Sequence, residues 1–254
     1  ADFDYKIADS FTDSKSLIIV AAPQSRVRLT FTWQGNTYRF ILPPTYSYKT
    51  DRQIQGLLEH HLIPAGFRVK KVILPLKLLA VYSGLARYGK NNLAYVSGMG
   101  SYHRLTAFIS DYPFPDDGWG KPQMMDECVR CSACRRACPT GAIGADRFLL
   151  RGERCLTFYN ERQLEFPRWI KTFWHNCLVG CLYCQKVCPV NKKFDATTDE
   201  GPVFSEKETV SLLQRRPGEK IHEDTVRKLE RQDIMEYLDV LGRNLLVLIS
   251  NTKR

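Results

Sequence analysis

The sequence predicts an α+β fold in three parts, on three observations. Residues 1–118 alternate short apolar strands with helix-spaced segments and contain no cysteine. Residues 119–195 hold all nine cysteines, eight of them in two runs that each close on Cys-Pro. Residues 196–254 take helical spacing and are expected to pack back on the core.

Residues 16–22 (SLIIVAA) read as a buried strand, being short, apolar and β-branched. Val27 to Trp33 and Thr37 to Leu42 alternate in polarity around Gln34-Gly35-Asn36, a hairpin signal, and Pro43-Pro44 stops it. Ile54, Leu57, Leu58 and Leu62 have helical spacing, with Pro64 and Gly66 behind them. A strand over Arg68 to Leu74 and a helix from near Pro75 to Gly84 follow. Strands are expected at Leu93 to Val96 and Leu105 to Ile109, around the turn Gly98-Met99-Gly100-Ser101. Asp111 to Pro122 is rich in Pro, Asp and Gly and reads as a linker. Beyond the cysteines, Ser205 with Glu208 forms a capping box, and a long helix is expected over Ile234 to Ile249.

The 44% apolar content supports a sizeable core. No apolar run is long enough to span a bilayer and no signal peptide opens the sequence, so no membrane partner and a cytoplasmic location are expected. The formal charge of +10 suits an anionic partner such as RNA, a phosphate-bearing cofactor or an acidic electron donor, and serves solubility equally well.

Cys128, Cys131, Cys134 and Cys138-Pro139 read C-x2-C-x2-C-x3-C-P, the spacing of proteins that carry two 4Fe-4S clusters. Three cysteines at two-residue intervals wrap one cubane, and the fourth serves the other cluster. The middle part is therefore expected to be a ferredoxin-like double 4Fe-4S domain. Cluster I takes Cys128, Cys131, Cys134 and Cys188; cluster II takes Cys138, Cys181 and Cys184. A symmetric ferredoxin would supply the last ligand at Leu178. Cys177 and Cys155 are both candidates, and spacing does not choose between them. Zinc hooks and disulfides are the competing readings. Zinc sites rarely place a cysteine at every third position before Cys-Pro, and disulfides suit small secreted chains.

The motif CVRCSACRRACPTGAI from Cys128, Arg154-Cys155-Leu156, Gly180-Cys181, Cys184-Gln185 and Val187-Cys188-Pro189-Val190-Asn191 give the chain its resemblance to the epoxyqueuosine reductases. Ser83-Gly84-Leu85, Gly89-Lys90-Asn91, Gly100-Ser101 and Leu241-Gly242-Arg243-Asn244 add to it. These are cobalamin-dependent double 4Fe-4S enzymes of queuosine synthesis in tRNA, distantly related to reductive dehalogenases.

The resemblance implies that Cys155 completes cluster II and leaves Cys177 as a packed small hydrophobe. It implies a nitroreductase-like domain over residues 1–118 that holds cobalamin, with Gly84, Lys90, Asn91, Ser101 and Tyr102 as cofactor-binding residues. It further implies an electron donor such as ferredoxin or flavodoxin, tRNA as a partner, and chain ahead of Ala1. The family's catalytic Asp has no counterpart, because no carboxylate lies between Arg68 and Tyr95, and no catalytic residue is assigned. The expected function is an iron-sulfur oxidoreductase passing electrons through two clusters to a bound cobalamin. The alternative is an electron-transfer protein or corrinoid-reducing activator without the tRNA reaction. His103 is read as a strand histidine before an axial ligand or proton donor; Tyr95 and Tyr102 as packing aromatics before phenol donors; Tyr159 as packing over cluster II.

Overall fold

The computed structural model describes residues 11–44, 46, 48–115, 118–194 and 198–252. Residues 116 and 117 of the expected linker and the boundary at 195/196 lie outside them. The fold is mixed α/β.

The first sheet has the order β1-β7-β4, all antiparallel: β1 (Ser16–Pro23), β7 (His103–Ser110) and β4 (Val69–Val72). β7 is central, and seven of its eight residues are buried, His103, Thr106 and Ser110 among them. Helix α1 (Tyr48–Leu62) packs on β4 and β7, and α2 (Leu76–Tyr82) packs on β1 and β7. The pairings Ile19 with Ala107 and Ala21 with Leu105 build the α2 side. On the α1 side, buried Asp51 accepts bonds from Arg104 Nε (3.0 Å) and Nη2 (2.8 Å) and pairs with Lys71. A small hairpin of β5 (Ala86–Tyr88) and β6 (Ala94–Val96) lies beside α2 and meets Met124 through a bridge at Tyr88.

The predicted hairpin is β2 (Arg26–Trp33) with β3 (Asn36–Leu42). Gln34 (φ 49°) and Gly35 (φ 70°) both take the left-handed conformation that a two-residue hairpin turn needs. This hairpin pairs in parallel with β8 (Thr198–Phe204), a strand that the helical reading of residues 196–254 did not include. The reason is its composition: Gly201-Pro202 interrupts it, and the ladder skips there, from Arg28–Glu200 to Thr30–Val203. Phe204 stacks on Phe31 at 4.6 Å.

Three helices follow: α6 (Glu206–Gln214), α7 (Glu223–Glu230) and α8 (Leu238–Thr252). The capping box at Ser205 and Glu208 is formed at α6. Leu29, Phe31, Leu178, Phe204, Leu212 and Leu241 meet in one core, joining hairpin, cysteine segment and C-terminal helices. Between these layers run the short helices α3 (Ala133–Ala137), α4 (Leu156–Asn160) and α5 (Tyr183–Lys186). No helix among the described residues is long and apolar enough to cross a membrane.

Candidate metal centre

Each cysteine run is a loop leading into one turn of helix. Cys131 N–H bonds to Cys128 O (3.2 Å), and Cys138 N–H closes α3 on Cys134 O (3.1 Å) before Pro139. In the second run Cys184 sits on α5, and Cys188 N–H bonds to Gln185 O (3.2 Å). Packing of α3 on α5 brings the runs together. Cys155 ends a 3-10 turn at the start of α4, its N–H on Gly152 O (3.0 Å).

The sequence predicts two quartets of thiols. Cys128 has Cys188 and Cys131 as electrostatic neighbours, and Cys134 has Cys128, Cys131 and Cys188. Cys181 faces Cys155 and Cys138; Cys184 faces Cys181, Cys155, Cys134 and Cys138. Cys177 has Cys181 as a neighbour, is 1% exposed, and donates its S–H to Asn176 Oδ1 (3.0 Å). All nine cysteines are free thiols. Among the described residues no three His, Cys, Asp or Glu side chains converge on a single-ion site.

Burial pushes the thiols of Cys128, Cys134 and Cys184 up and that of Cys181 to about 11. Without metal these groups are neutral at pH 7. Ligation must expel their protons, so loading is favoured by higher pH. Backbone amides of Lys90, Arg135 and Tyr183 already point at the sulfurs of Cys128, Cys134 and Cys181.

Polar residues that the sequence did not single out brace the second quartet. Asn176 Nδ2–H donates to Cys181 Sγ (3.4 Å), and Thr140 Oγ1 lies 3.4 Å from Cys138 Sγ. Asn244 of α8 donates to Asn160 O and Leu178 O (both 2.8 Å), and Asn160 donates to Gly180 O (2.7 Å). Arg243 donates to Tyr159 O (2.7 Å). The Gly-Arg-Asn motif of the last helix thus ties down the loops around Cys155 and Cys181. Only that motif's presence was legible beforehand; its target was not.

Of the five residues expected to hold cobalamin, Lys90 and Ser101 line two adjoining cavities. Lys90 donates to Val129 O (3.0 Å) and Cys131 O (3.1 Å), bracing the first cysteine loop. Asn91 donates to Tyr95 OH (3.0 Å) and is buried. Ser101 is held by Asn191, through Ser101 N–H to Oδ1 (2.9 Å) and Asn191 Nδ2–H to Oγ (2.7 Å). Gly84 ends α2 in open space, and Tyr102 is buried beneath Arg26. Lys90 lines a 610 Å³ cavity and Ser101 a different one of 500 Å³; Leu78 and Tyr88 contribute to both walls, and the other three residues line neither. Each volume suits a drug-sized molecule rather than a whole corrinoid. His103 lies in the wall of the smaller cavity, bonded to Ala94 O (3.1 Å) as a strand histidine. Tyr95 is buried with its hydroxyl toward Cys188, and Tyr159 bonds Glu153 O (2.8 Å) just before Cys155.

Mixed α/β layers around two thiol quartets define a double-cluster iron-sulfur protein, and residues 127–191 match the 4Fe-4S double cluster binding domain family. Over much of its length the chain is similar to epoxyqueuosine reductases. It is 28% identical over 194 residues to the enzyme of Cellulophaga algicola, a match covering 75% of this chain and 61% of that one. It is 34% identical over 170 residues to that of Pseudomonas aeruginosa (64% and 45%), and 36% over 123 residues to that of Yersinia pestis (48% and 28%). These matches therefore span between about a quarter and three fifths of the curated relatives. Among solved structures, epoxyqueuosine reductase from Bacillus subtilis superposes with a TM-score of 0.67 at 23% identity, covering 96% of this chain and 66% of the other. An epoxyqueuosine reductase bound to a modified tRNA stem loop gives 0.66 at 22%, covering the same shares.

Proposed function

We propose that the protein is an iron-sulfur oxidoreductase that relays electrons one at a time, with cluster I on Cys128, Cys131, Cys134 and Cys188 and cluster II on Cys138, Cys155, Cys181 and Cys184. The observation that supports this reading is the neighbourhood of the buried thiols: Cys134 has Cys128, Cys131 and Cys188 nearby, and Cys184 has Cys138, Cys155 and Cys181 as well as Cys134. When bound, such clusters supply one-electron transfer at potentials set by their surroundings. The residues hold the sulfurs, half-buried in both quartets, and fix the loops. Arg130, Arg135 and Arg136 are exposed around the first quartet, a basic face that suits docking of an acidic donor such as a reduced ferredoxin or flavodoxin. No step is routed through cobalamin.

Anaerobic reconstitution tests the assignment. The wild-type chain should take up about eight iron atoms. Cys155→Ala should lose about half of them, and Cys177→Ala none. Equal losses in the two variants would sink it. Cobalamin retained by the loaded protein at micromolar concentration would restore the corrinoid reading.

A second reading, that the substrate is carried on tRNA, is favoured by one surface. Arg168, Trp169, Lys171 and Phe173 are exposed together, and neither cation makes an ion pair among the described residues. Aromatic and basic side chains so interleaved suit stacking on unpaired bases of an RNA loop. Affinity for a tRNA anticodon stem loop should fall steeply as salt rises, and Lys171→Ala should reduce that slope. Salt-independent binding, or none, argues against it.

A further inference from the structure

Cys177 is the ninth cysteine, and the relay needs only eight. It lies 1% exposed between Asn176 and Leu178, with its S–H on Asn176 Oδ1 at 3.0 Å. The same oxygen accepts Leu182 N–H at 3.0 Å. Two donors on one oxygen settle which end of the amide is which. The NH2 group is then turned outward, with Trp174 O at 3.4 Å and Cys181 Sγ at 3.4 Å. Every hydrogen-bonding site of the amide that the geometry can fill is filled, and one of its donors points at a ligand sulfur.

A second donor approaches the same quartet independently. Thr140 is 3% exposed, and its hydroxyl lies 3.4 Å from Cys138 Sγ. Either group can donate while Cys138 is a thiol. Once Cys138 is a thiolate on iron it has no proton, and the hydroxyl must be the donor.

We infer that Cys177 is a positioning residue: its thiol orients the Asn176 amide, and Asn176 and Thr140 hold up the reduction potential of cluster II by donating hydrogen bonds to Cys181 and Cys138. The inference rests on the cluster assignment proposed above. Reduction adds one electron to the cluster and its four thiolates, and no bond is made or broken. The electron comes from a low-potential donor protein, or from dithionite in the test. The added negative charge is stabilised by donors aimed at the sulfurs, while the burial of this quartet works against it. The two contacts offset that burial and keep the inner cluster reducible.

The test is an EPR-monitored redox titration of the fully reconstituted chain, with iron counted on every sample. Cluster II is the signal missing in Cys155→Ala. Asn176→Ala and Thr140→Val should each shift the midpoint of that signal downward and leave the other in place. Cys177→Ala should shift the same midpoint in the same direction with full iron, and Cys177→Ser, which keeps a donor, should restore it. An unchanged midpoint in Cys177→Ala and Thr140→Val at full iron overturns the inference while leaving the cluster assignment intact. Loss of iron in Cys177→Ala overturns both, because Cys177 would then be a ligand.

Discussion

Asp51 is 1% exposed, and its charge is held by Arg104 and Lys71 across the α1 face of the first sheet. Burial alone would raise its carboxyl, but the two cations outweigh that and leave it below the usual value. A depressed carboxylate contributes stability above the unfolded value, about 3.9, and loses it as pH falls through the folded one. Asp51→Asn should cost about 3 kcal/mol, the low end for breaking a buried pair, because Arg104 and Lys71 keep some solvent. Denaturant unfolding checks this: the gap between wild type and variant should be widest near neutral pH and close below about pH 4. His175 loses stability in the same direction of pH, but because the fold favours its neutral form. Burial, then the Arg243 charge, lower it to about 4, so the folded state resists its protonation. Stability should fall as pH drops from 6.5 toward 4, and His175→Gln should flatten that part of the profile. At this scale the ligand types were legible from spacing, since Cys-Pro runs are local. Asn176, Thr140 and Asn244 were not, because a single polar residue acquires its role only from the segment that folds against it.

Elements with strong local chemistry were readable: the hairpin turn at Gln34-Gly35, the capping box at Ser205 and the Gly66 stop behind α1. β8 was not, because its pairing is with β2, some 170 residues earlier, and its Gly-Pro interrupts any strand pattern. Gly201 is needed there, since a Cβ would lie 2.6 Å from Val27 Cγ1. Helix α8 makes a similar demand. A Cβ on Gly242 would come within 2.3 Å of Leu212 O on α6, whereas one on Gly56 of α1 meets nothing within 4 Å. Gly242→Ala should therefore destabilise by about 2 kcal/mol through overpacking. Gly56→Ala should stabilise by about 0.5–1 kcal/mol through helix propensity. Thermal unfolding of the two variants, one melting below and one above wild type, separates close packing from propensity; a gain in Gly242→Ala would contradict the packing described.

Across the whole molecule, the ends of the chain close around the cysteine segment. The β2-β3 hairpin, Leu178 and Val179 beside the second run, and the C-terminal helices share one core. Asn191, just beyond the last Cys-Pro, holds Ser101 of the first sheet's turn. The sheet therefore supports the cysteine loops from one side and α8 supports them from the other. This reciprocity could not be read from a linear division into three parts, because it is made by contacts between them. The central claim is that this frame holds eight thiols as two electron-carrying centres. Spin quantitation of the fully reduced, reconstituted protein by EPR tests it most directly. Two quartets predict about two unpaired spins per chain with about eight iron atoms, the two signals broadened by their proximity across α3. A single spin with about four iron atoms would contradict the account.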